Sequence, residues 1–274
     1  MEIAEHIAAL RQQGESLATA ADRAGLDAPV PTCAPWLVKD LIRHTGYVHR
    51  WAARHITECP ERILDGPPEA EILDGGAPDD ELLAWFRAGH TALVETLTEA
   101  DPDLRTATFM DAPTPLAFWA RRQAHETAIH RADADSAMRA TPGFPPDFAA
   151  DGIDELIMGF GRRHKYQPHG DHEGTLRFAA TDTGDDWYAQ AEDGLLQPRR
   201  GRRPRPMQHR GRRPRPMQHR GGLAGPATCT VSGPASGLYL FLWNRAEATS
   251  AEVTISGDAR LLSQWKTSVR VRWG

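Results

Sequence analysis

The chain has 274 residues, enough for two domains, and its 40% apolar and 25% charged residues are ordinary for a globular protein. The net charge of -5 gives no global attraction to nucleic acid or to an anionic membrane. Cys33, Cys59 and Cys229 lie far apart and form no CxxC pair, which argues against a cysteine zinc site and against a disulfide framework. The N-terminus is charged throughout, so we expect neither a signal peptide nor a membrane span, and a cytoplasmic location by default.

Apolar residues recur at helical spacing through the first half of the chain. The predicted long helices cover 3–24, 36–57, 79–99 and 114–138. Pro35 is expected in the first turn of the second helix, and the stretch 60–78, rich in proline and glycine, is predicted to be a loop. Four long helices predict a helical bundle. Because the domain boundary is expected near Pro146, the bundle is predicted to cover residues 1–145.

The pattern changes after Pro146 to short segments of mixed type. The predicted helices here are 147–164, 238–245 and 259–269, and the predicted strands are 175–179, 187–189, 228–231 and 251–255. The first two strands flank a turn at Asp182, Thr183 and Gly184. Residues 146–274 are therefore predicted to be a smaller mixed domain, and the whole chain to be of the α+β class.

A basic insert interrupts this second domain at 198–222. The decapeptide GRRPRPMQHR occurs twice in succession, at 201–210 and 211–220, and residues 199–220 hold ten arginines and no acid. Since arginine and proline dominate without apolar periodicity, the insert is predicted to be disordered. It could be an arm for nucleic acid or a solvated loop. We favour the loop, and no nucleic-acid partner is expected.

A histidine lies in the apolar stripe of the second predicted helix. Along this helix Leu37, Leu41, His44, Val48 and Trp51 step by four, three, four and three, so they share one face. A histidine on a core face needs partners for its ring nitrogens. Taken alone, His44 is best interpreted as a hydrogen-bonded core histidine.

The fourth predicted helix offers two further candidate ligands for a metal. Trp119, Gln123, Glu126, His130 and Asp133 follow the same four-three spacing and share one face. Glu126 and His130 are one turn apart, about 40° around the axis, so both can reach one ion. The alternative is a solvated Glu–His pair at the surface. Trp119 on the same face and the inward-facing His44 of the second helix argue against this alternative.

The segment HETAIH is not the HExxH motif of metalloproteases. Its histidines, His125 and His130, are five residues apart and point about 140° from each other, so they cannot share a metal. His125 is expected to pack against a neighbouring helix or to support the site indirectly. Two histidines and one carboxylate, His44, Glu126 and His130, would leave an open position on zinc, as in catalytic sites, and would also suit iron or nickel.

Two segments resemble the mycothiol-dependent maleylpyruvate isomerase family. Residues 36–44, WLVKDLIRH, resemble its W-x-V-x-D-L-x-x-H helix, and residues 122–134, RQAHETAIHRADA, resemble its R-x-x-H-E-x-x-x-H-R-x-D-A segment. The C-terminal segments VSGPAS at 231–236, LFLWNR at 240–245 and VRVRW at 269–273 match as well. The resemblance covers nearly the whole chain except the insert at 198–222.

This resemblance implies a DinB-like four-helix bundle followed by a smaller sterol-carrier-like α/β domain. It places the metal ligands on His44, Glu126 and His130, with zinc as the first choice of divalent metal. The family's metal binds the sulfur of mycothiol, and the resulting thiolate attacks a small electrophile, so the implied activity is an S-transferase or isomerase. Arg245 is the catalytic candidate, as the arginine that holds an acidic substrate.

Three functions stay open from the sequence. The first is the mycothiol-using, zinc-dependent enzyme, acting as a monomer or homodimer on a small electrophile with a low-molecular-weight thiol. The second is a metal-dependent hydrolase with zinc-bound water as nucleophile. The third is a non-enzymatic, metal-binding regulatory or stress module whose basic loop contacts nucleic acid.

Overall fold

A computed structural model describes residues 1–163, 173–192, 195–201 and 227–271 of the chain. These residues fall into two compact units, the first built from Met1–Phe144 with Trp243–Ala246 and the second from Pro145–Leu242 with Glu247–Arg270. The first is helical and the second holds a small mixed sheet, which confirms the α+β class. Within the described ranges no helix combines the length and apolar character needed to cross a bilayer.

Four long helices form the first unit. The long helices are α1 (Ile3–Ala24), α2 (Val38–Glu58), α4 (Leu82–Glu99) and α5 (Pro115–Ala137). The short helix α3 (Glu69–Asp74) and a 3₁₀ turn at Pro31–Cys33 lie in the connections between them. Helix α1 packs on α4 and α5, and α2 packs on the same two helices, so the four long helices close a bundle. The core between them includes Leu17, Leu41 and Phe86, all fully buried.

Several local predictions in this unit are wrong. Pro35 lies in a turn before α2 and not in its first turn, and α4 begins at Leu82 and not at residue 79. Helix α2 begins at Val38 and not at residue 36, because the Asp40 carboxylate accepts a hydrogen bond from the Leu37 amide at 2.8 Å and sets the start there. The predicted loop at 60–78 contains the six-residue helix α3. This helix follows Pro68 and buries Ile72.

Helix α5 is the most deeply buried helix of the bundle. Every residue from 122 to 130 is shielded from solvent. The helix starts in the predicted way, with Pro115 in its first turn and the Thr114 hydroxyl accepting a hydrogen bond from the Ala117 amide at 3.1 Å. Polar side chains in the middle of such a helix must find partners inside the protein, which makes this the natural location for a buried polar site.

The second unit is organised around a sheet with the described strand order β3-β2-β1-β4-β5. The strands are β1 (Thr175–Ala180), β2 (Asp186–Glu192), β3 (Leu195–Arg200), β4 (Cys229–Gly233) and β5 (Thr254–Gly257). Strands β1 and β4 pair in parallel, and the other neighbours pair antiparallel. The helices of this unit are α6 (Pro146–Asp154), α7 (Ala235–Leu242) and α8 (Ala259–Ser268).

The predicted hairpin at 175–189 is confirmed, and Gly184 takes a positive φ of 70° in its turn. The helix predicted at 147–164 is observed as α6, a π-helical turn at Glu155–Gly159 and a 3₁₀ turn at Phe160–Arg162. The strand predicted at 251–255 starts only at Thr254, because backbone hydrogen bonds from Ala251 to Glu247 and from Val253 to Ala248 hold the preceding residues in turns.

Strand β3 was not expected from the sequence. It ends at Arg200, so residues 198–200 of the predicted insert belong to a strand that pairs with β2. Apart from Gly201, the tandem decapeptides lie outside the described residues, and so do the predictions of disorder and of a nucleic-acid arm.

Candidate metal centre

His44 lies at the middle of the buried stripe of α2. The side chains of Leu41, His44 and Val48 are all fully buried, which confirms that this face of the helix points into the core. The His44 Nε2 atom lies 3.7 Å from Oε1 of Glu126 on α5. The sequence-predicted histidine and carboxylate are thus brought together from two separate helices.

Glu126 and His130 lie one turn apart on α5 and face the same point. The Glu126 Oε1 and His130 Nε2 atoms are 3.1 Å apart, and the rings of His44 and His130 have centroids 5.0 Å apart. One possible ligand atom from each of the three residues lies within 4.8 Å of the other two. Glu126 and His130 are each only 7% exposed, so the alternative of a solvated surface pair is excluded.

Two further charged residues of α5 fix the orientation of these side chains. The Nδ1 atom of His130 donates a hydrogen bond to Oδ2 of Asp133 at 2.9 Å, which leaves Nε2 directed at the cluster. Arg122 donates from Nη2 to Oε2 of Glu126 at 2.7 Å, which leaves Oε1 directed at the cluster. Both partners lie on α5 itself, at i+3 and i-4 from the residues they hold.

The pKa values of the three candidate ligands are shifted in different directions. Burial would raise the pKa of Glu126, but Arg122 and the two histidines outweigh it and hold this pKa well below its usual range. Burial would lower the pKa of His130, but hydrogen bonds to Asp133 and Glu126 raise it from 6.5 to about 9. Burial lowers the pKa of His44, so this imidazole is neutral at pH 7. A carboxylate and a neutral imidazole are therefore presented together.

The three residues fit a divalent cation by the chemistry of their donor set. Two imidazole nitrogens and one carboxylate oxygen form the set that holds catalytic zinc, and the same set accepts iron or nickel. The outer hydrogen bonds of His130 and Glu126 are of the kind that orients metal ligands in proteins. We assign His44, Glu126 and His130 as the candidate ligands on this basis.

An aromatic side chain lies against the two imidazoles. The ring centroid of Trp36 is 4.9 Å from that of His44 and 6.5 Å from that of His130. His125 points elsewhere, as the helical geometry predicts, and its ring lies 6.1 Å from that of His6 on α1. The cluster therefore has an apolar wall at Trp36.

Arg245 lies within the helical unit, although it follows α7 in the sequence. Its Nε and Nη2 atoms bind the two carboxylate oxygens of Asp133 at 2.7 and 3.0 Å. The family resemblance implies that Arg245 is a clamp for an acidic substrate, whereas the structure places its guanidinium on the carboxylate of Asp133. Asp133 is on the predicted stripe of α5, yet spacing alone did not show its link to Arg245.

Arg122 and Trp36 were also not assigned from spacing. Arg122 could have been recognised by its i-4 position relative to Glu126, because oppositely charged residues one turn apart face each other on a helix. Trp36 precedes the first residue of α2, so helical periodicity does not predict its direction.

Two family models together match most of the chain. The model of the mycothiol maleylpyruvate isomerase N-terminal domain matches residues 7–135, and the model of the MDMPI C-terminal domain matches residues 147–264. The first match contains the three candidate ligands, and the second contains Arg245.

Two solved structures are similar to the chain over nearly its full length. They are the crystal structures of a mycothiol-dependent maleylpyruvate isomerase and of a histidine-to-alanine mutant of that enzyme, with TM-scores of 0.60 and 0.61. In each case 93% of this chain and 93% of the solved chain are covered at 15% sequence identity, so the similarity is one of fold. No curated protein matches the sequence.

Proposed function

This chain belongs to the mycothiol-dependent maleylpyruvate isomerase family, and we propose that it is a mycothiol-using isomerase or S-transferase with a divalent metal, zinc as first choice, at His44, Glu126 and His130. The observation that carries the proposal is the convergence of these three side chains inside the bundle. A small electrophile is the second substrate, and maleylpyruvate is the first compound to test.

The metal, when bound, lowers the pKa of a coordinated thiol so that the thiol is available as thiolate near pH 7. The protein's own residues prepare this step. Asp133 accepts the Nδ1 proton of His130, so Nε2 is the atom available to bind the metal. Arg122 donates to Oε2 of Glu126, so Oε1 is the oxygen available to bind the metal. Among the described residues these three side chains would hold the metal, one fewer than the four protein ligands of a closed structural zinc site.

The reaction follows from the chemistry of a thiol and a conjugated cis double bond. The thiol sulfur adds to one alkene carbon, and the electron pair of the double bond moves towards the conjugated carbonyl. The carbon–carbon bond, now single, rotates, and elimination then expels the sulfur and restores the double bond in the trans form. For S-transfer, the adduct takes up a proton and leaves. Trp36 offers an apolar face at the imidazoles, which would exclude water and contact a planar substrate.

The deciding experiment is a thiol titration of the zinc-loaded and zinc-free protein. The purified full-length chain is stripped with a chelator, reloaded with zinc, and titrated with mycothiol by calorimetry. We expect one zinc per chain, and thiol binding only by the zinc-loaded form. Isomerisation of maleylpyruvate is then assayed with and without mycothiol.

Two variants make this test specific for the assigned ligands. His44→Ala is expected to lose stoichiometric zinc and thiol binding. His49→Gln changes another buried histidine of α2 that is not in the cluster, and it should retain both. Stoichiometric zinc in H44A would overturn the ligand assignment. Equal thiol binding by the zinc-free protein, or activity that needs no thiol, would overturn the proposed chemistry.

A further inference from the structure

The guanidinium of Arg245 is already engaged by protein acceptors. Besides the two bonds to Asp133, its Nη1 donates to the backbone oxygen of Trp243 at 2.8 Å and its Nη2 donates to Sγ of Cys33 at 3.6 Å. An arginine has five N–H groups, and four of them are accounted for by these contacts. A bidentate clamp on a substrate carboxylate needs two free parallel N–H groups, which this arginine does not offer.

The carboxylate that Arg245 holds is itself the partner of a candidate ligand. Asp133 is fully buried and accepts from His130 Nδ1 through the same oxygen, Oδ2, that binds Arg245 Nη2. Thr32 adds a hydrogen bond to the other oxygen, Oδ1, at 2.6 Å. The carboxylate is thereby fixed on both oxygens, and its position fixes the ring of His130.

The segment that carries Arg245 makes a second contact with the same helix. The ring of Trp243 lies over the guanidinium of Arg122, with 5.3 Å from the Arg122 Cζ atom to the ring centroid. Arg122 in turn holds Glu126. Two residues of the segment 243–246 thus contact the outer partners of both α5 ligands.

We infer that Arg245 is a positioning residue for the metal centre, which acts through Asp133 to hold His130 in its ligating orientation. The inference rests on the proposed metal site and concerns how that site is held. It assigns to Arg245 a role different from the substrate clamp that the sequence suggests.

Cobalt titration tests the inference without relying on activity. Co²⁺ replaces zinc in such sites, and its visible absorption bands report ligand geometry. In Arg245→Gln we expect roughly 10- to 100-fold weaker Co²⁺ binding and shifted bands, as is usual when an outer partner of a ligand is lost. Asp133→Asn should behave alike. The double variant should bind no more weakly than D133N, because both changes break the same connection.

A matched control and a conservative variant separate positioning from general damage. Arg177→Gln removes an arginine that binds Asp186 between β1 and β2, and it should leave the cobalt bands and affinity unchanged. Arg245→Lys keeps the positive charge but lacks the paired N–H groups of the guanidinium, so it should recover part of the Co²⁺ affinity that R245Q loses.

The outcomes distinguish this inference from the proposed function. If the wild-type chain binds no cobalt, the metal site itself is wrong. If the wild type binds and R245Q matches its affinity and bands, the positioning role is wrong, and a rise in KM alone would return Arg245 to substrate binding. Should R245Q fail to fold, D133N and R245K decide, since wild-type binding in both would equally contradict the inference.

Discussion

His49 is a buried histidine on the same helix as His44 that lies outside the candidate ligand set. The two histidines are five positions apart in the sequence, so they point about 140° apart around α2. His49 Nε2 is 2.9 Å from the Thr127 hydroxyl, and its ring lies 5.5 Å from that of His90. Burial, with a smaller contribution from His90, lowers the pKa of His49 well below its usual 6.5.

The depressed pKa of His49 makes a prediction about stability in acid. Near and below pH 6.5 the unfolded chain binds a proton at this residue and the folded protein does not, so stability falls as the pH falls and is fully present above 6.5. Replacing His49 by Gln removes this proton uptake by the unfolded chain. We expect the slope of unfolding free energy against pH to become shallower below pH 6.5, by at most the about 1.4 kcal/mol per pH unit that one proton contributes.

Chemical denaturation of the metal-free protein at several pH values measures this slope. The chelator removes competition between protons and metal at the candidate ligands. His90 and His44 also have lowered pKa values through burial, so part of the acid sensitivity should persist in H49Q. An identical slope in H49Q and wild type would show that His49 does not titrate in this way.

The sequence predicted which side chains share a helix face, and the structure shows which residues of other elements contact those faces. The four-three spacing placed His44, Glu126 and His130 correctly on two helix faces, because helical periodicity is a local property. The bond between Asp133 and Arg245 joins residues 112 positions apart. No local pattern encodes such a contact, so only the fold could reveal it.

The start of α5 is an element-scale feature that can be changed without touching the metal centre. Thr114 caps the first turn by accepting a hydrogen bond from the Ala117 amide. Replacing it by Ala leaves that amide without its side-chain acceptor and should cost about 1 kcal/mol of stability. Glu126 is 12 residues further on, about 18 Å along the helix, so zinc affinity should not change.

Urea unfolding and zinc titration of the same preparation check both parts of this prediction. Thr114→Ser keeps a hydroxyl at the cap and is expected to retain most of the stability that T114A loses. A large loss of zinc affinity in T114A would mean that the first turn of α5 is coupled to the ligands, contrary to the local role assigned to the cap.

The elements that the sequence predicted are those with a strong period of their own. The four long helices of the bundle bury residues at helical spacing, and the β1 and β2 strands flank a turn with recognisable turn residues, so both could be predicted. Strand β3 has the sequence LLQPRR, with a proline inside and arginines at its end, and it pairs with β2 despite lacking alternation. Helix α3 is only six residues long, which is too short for a periodic signal.

At the scale of the whole molecule, the described residues form two compact units, and the three candidate ligands all belong to the helical unit. His44 comes from α2, whereas Glu126 and His130 come from α5. A bound metal would therefore connect two helices that are far apart in sequence. No residue of the described sheet is among the ligands.

This arrangement predicts where zinc should stabilise the chain. A ligand that binds only the folded state adds about 2.7 kcal/mol at 100 times its dissociation constant, enough to slow amide exchange by roughly 100-fold where exchange requires the site to open. We expect hydrogen–deuterium exchange to slow in peptides from α2 and α5 when zinc is added. Peptides from β1 and β2 should change little.

The H44A variant is the control for this exchange measurement, because it removes one ligand and keeps the rest of α2. Zinc should no longer protect α2 or α5 in H44A at the concentration that protects wild type. If protection persisted there, the metal would be held by other residues. If wild-type protection appeared in β1 and β2 but not in α2, the metal would bind in the second unit, and the helical site would be wrong.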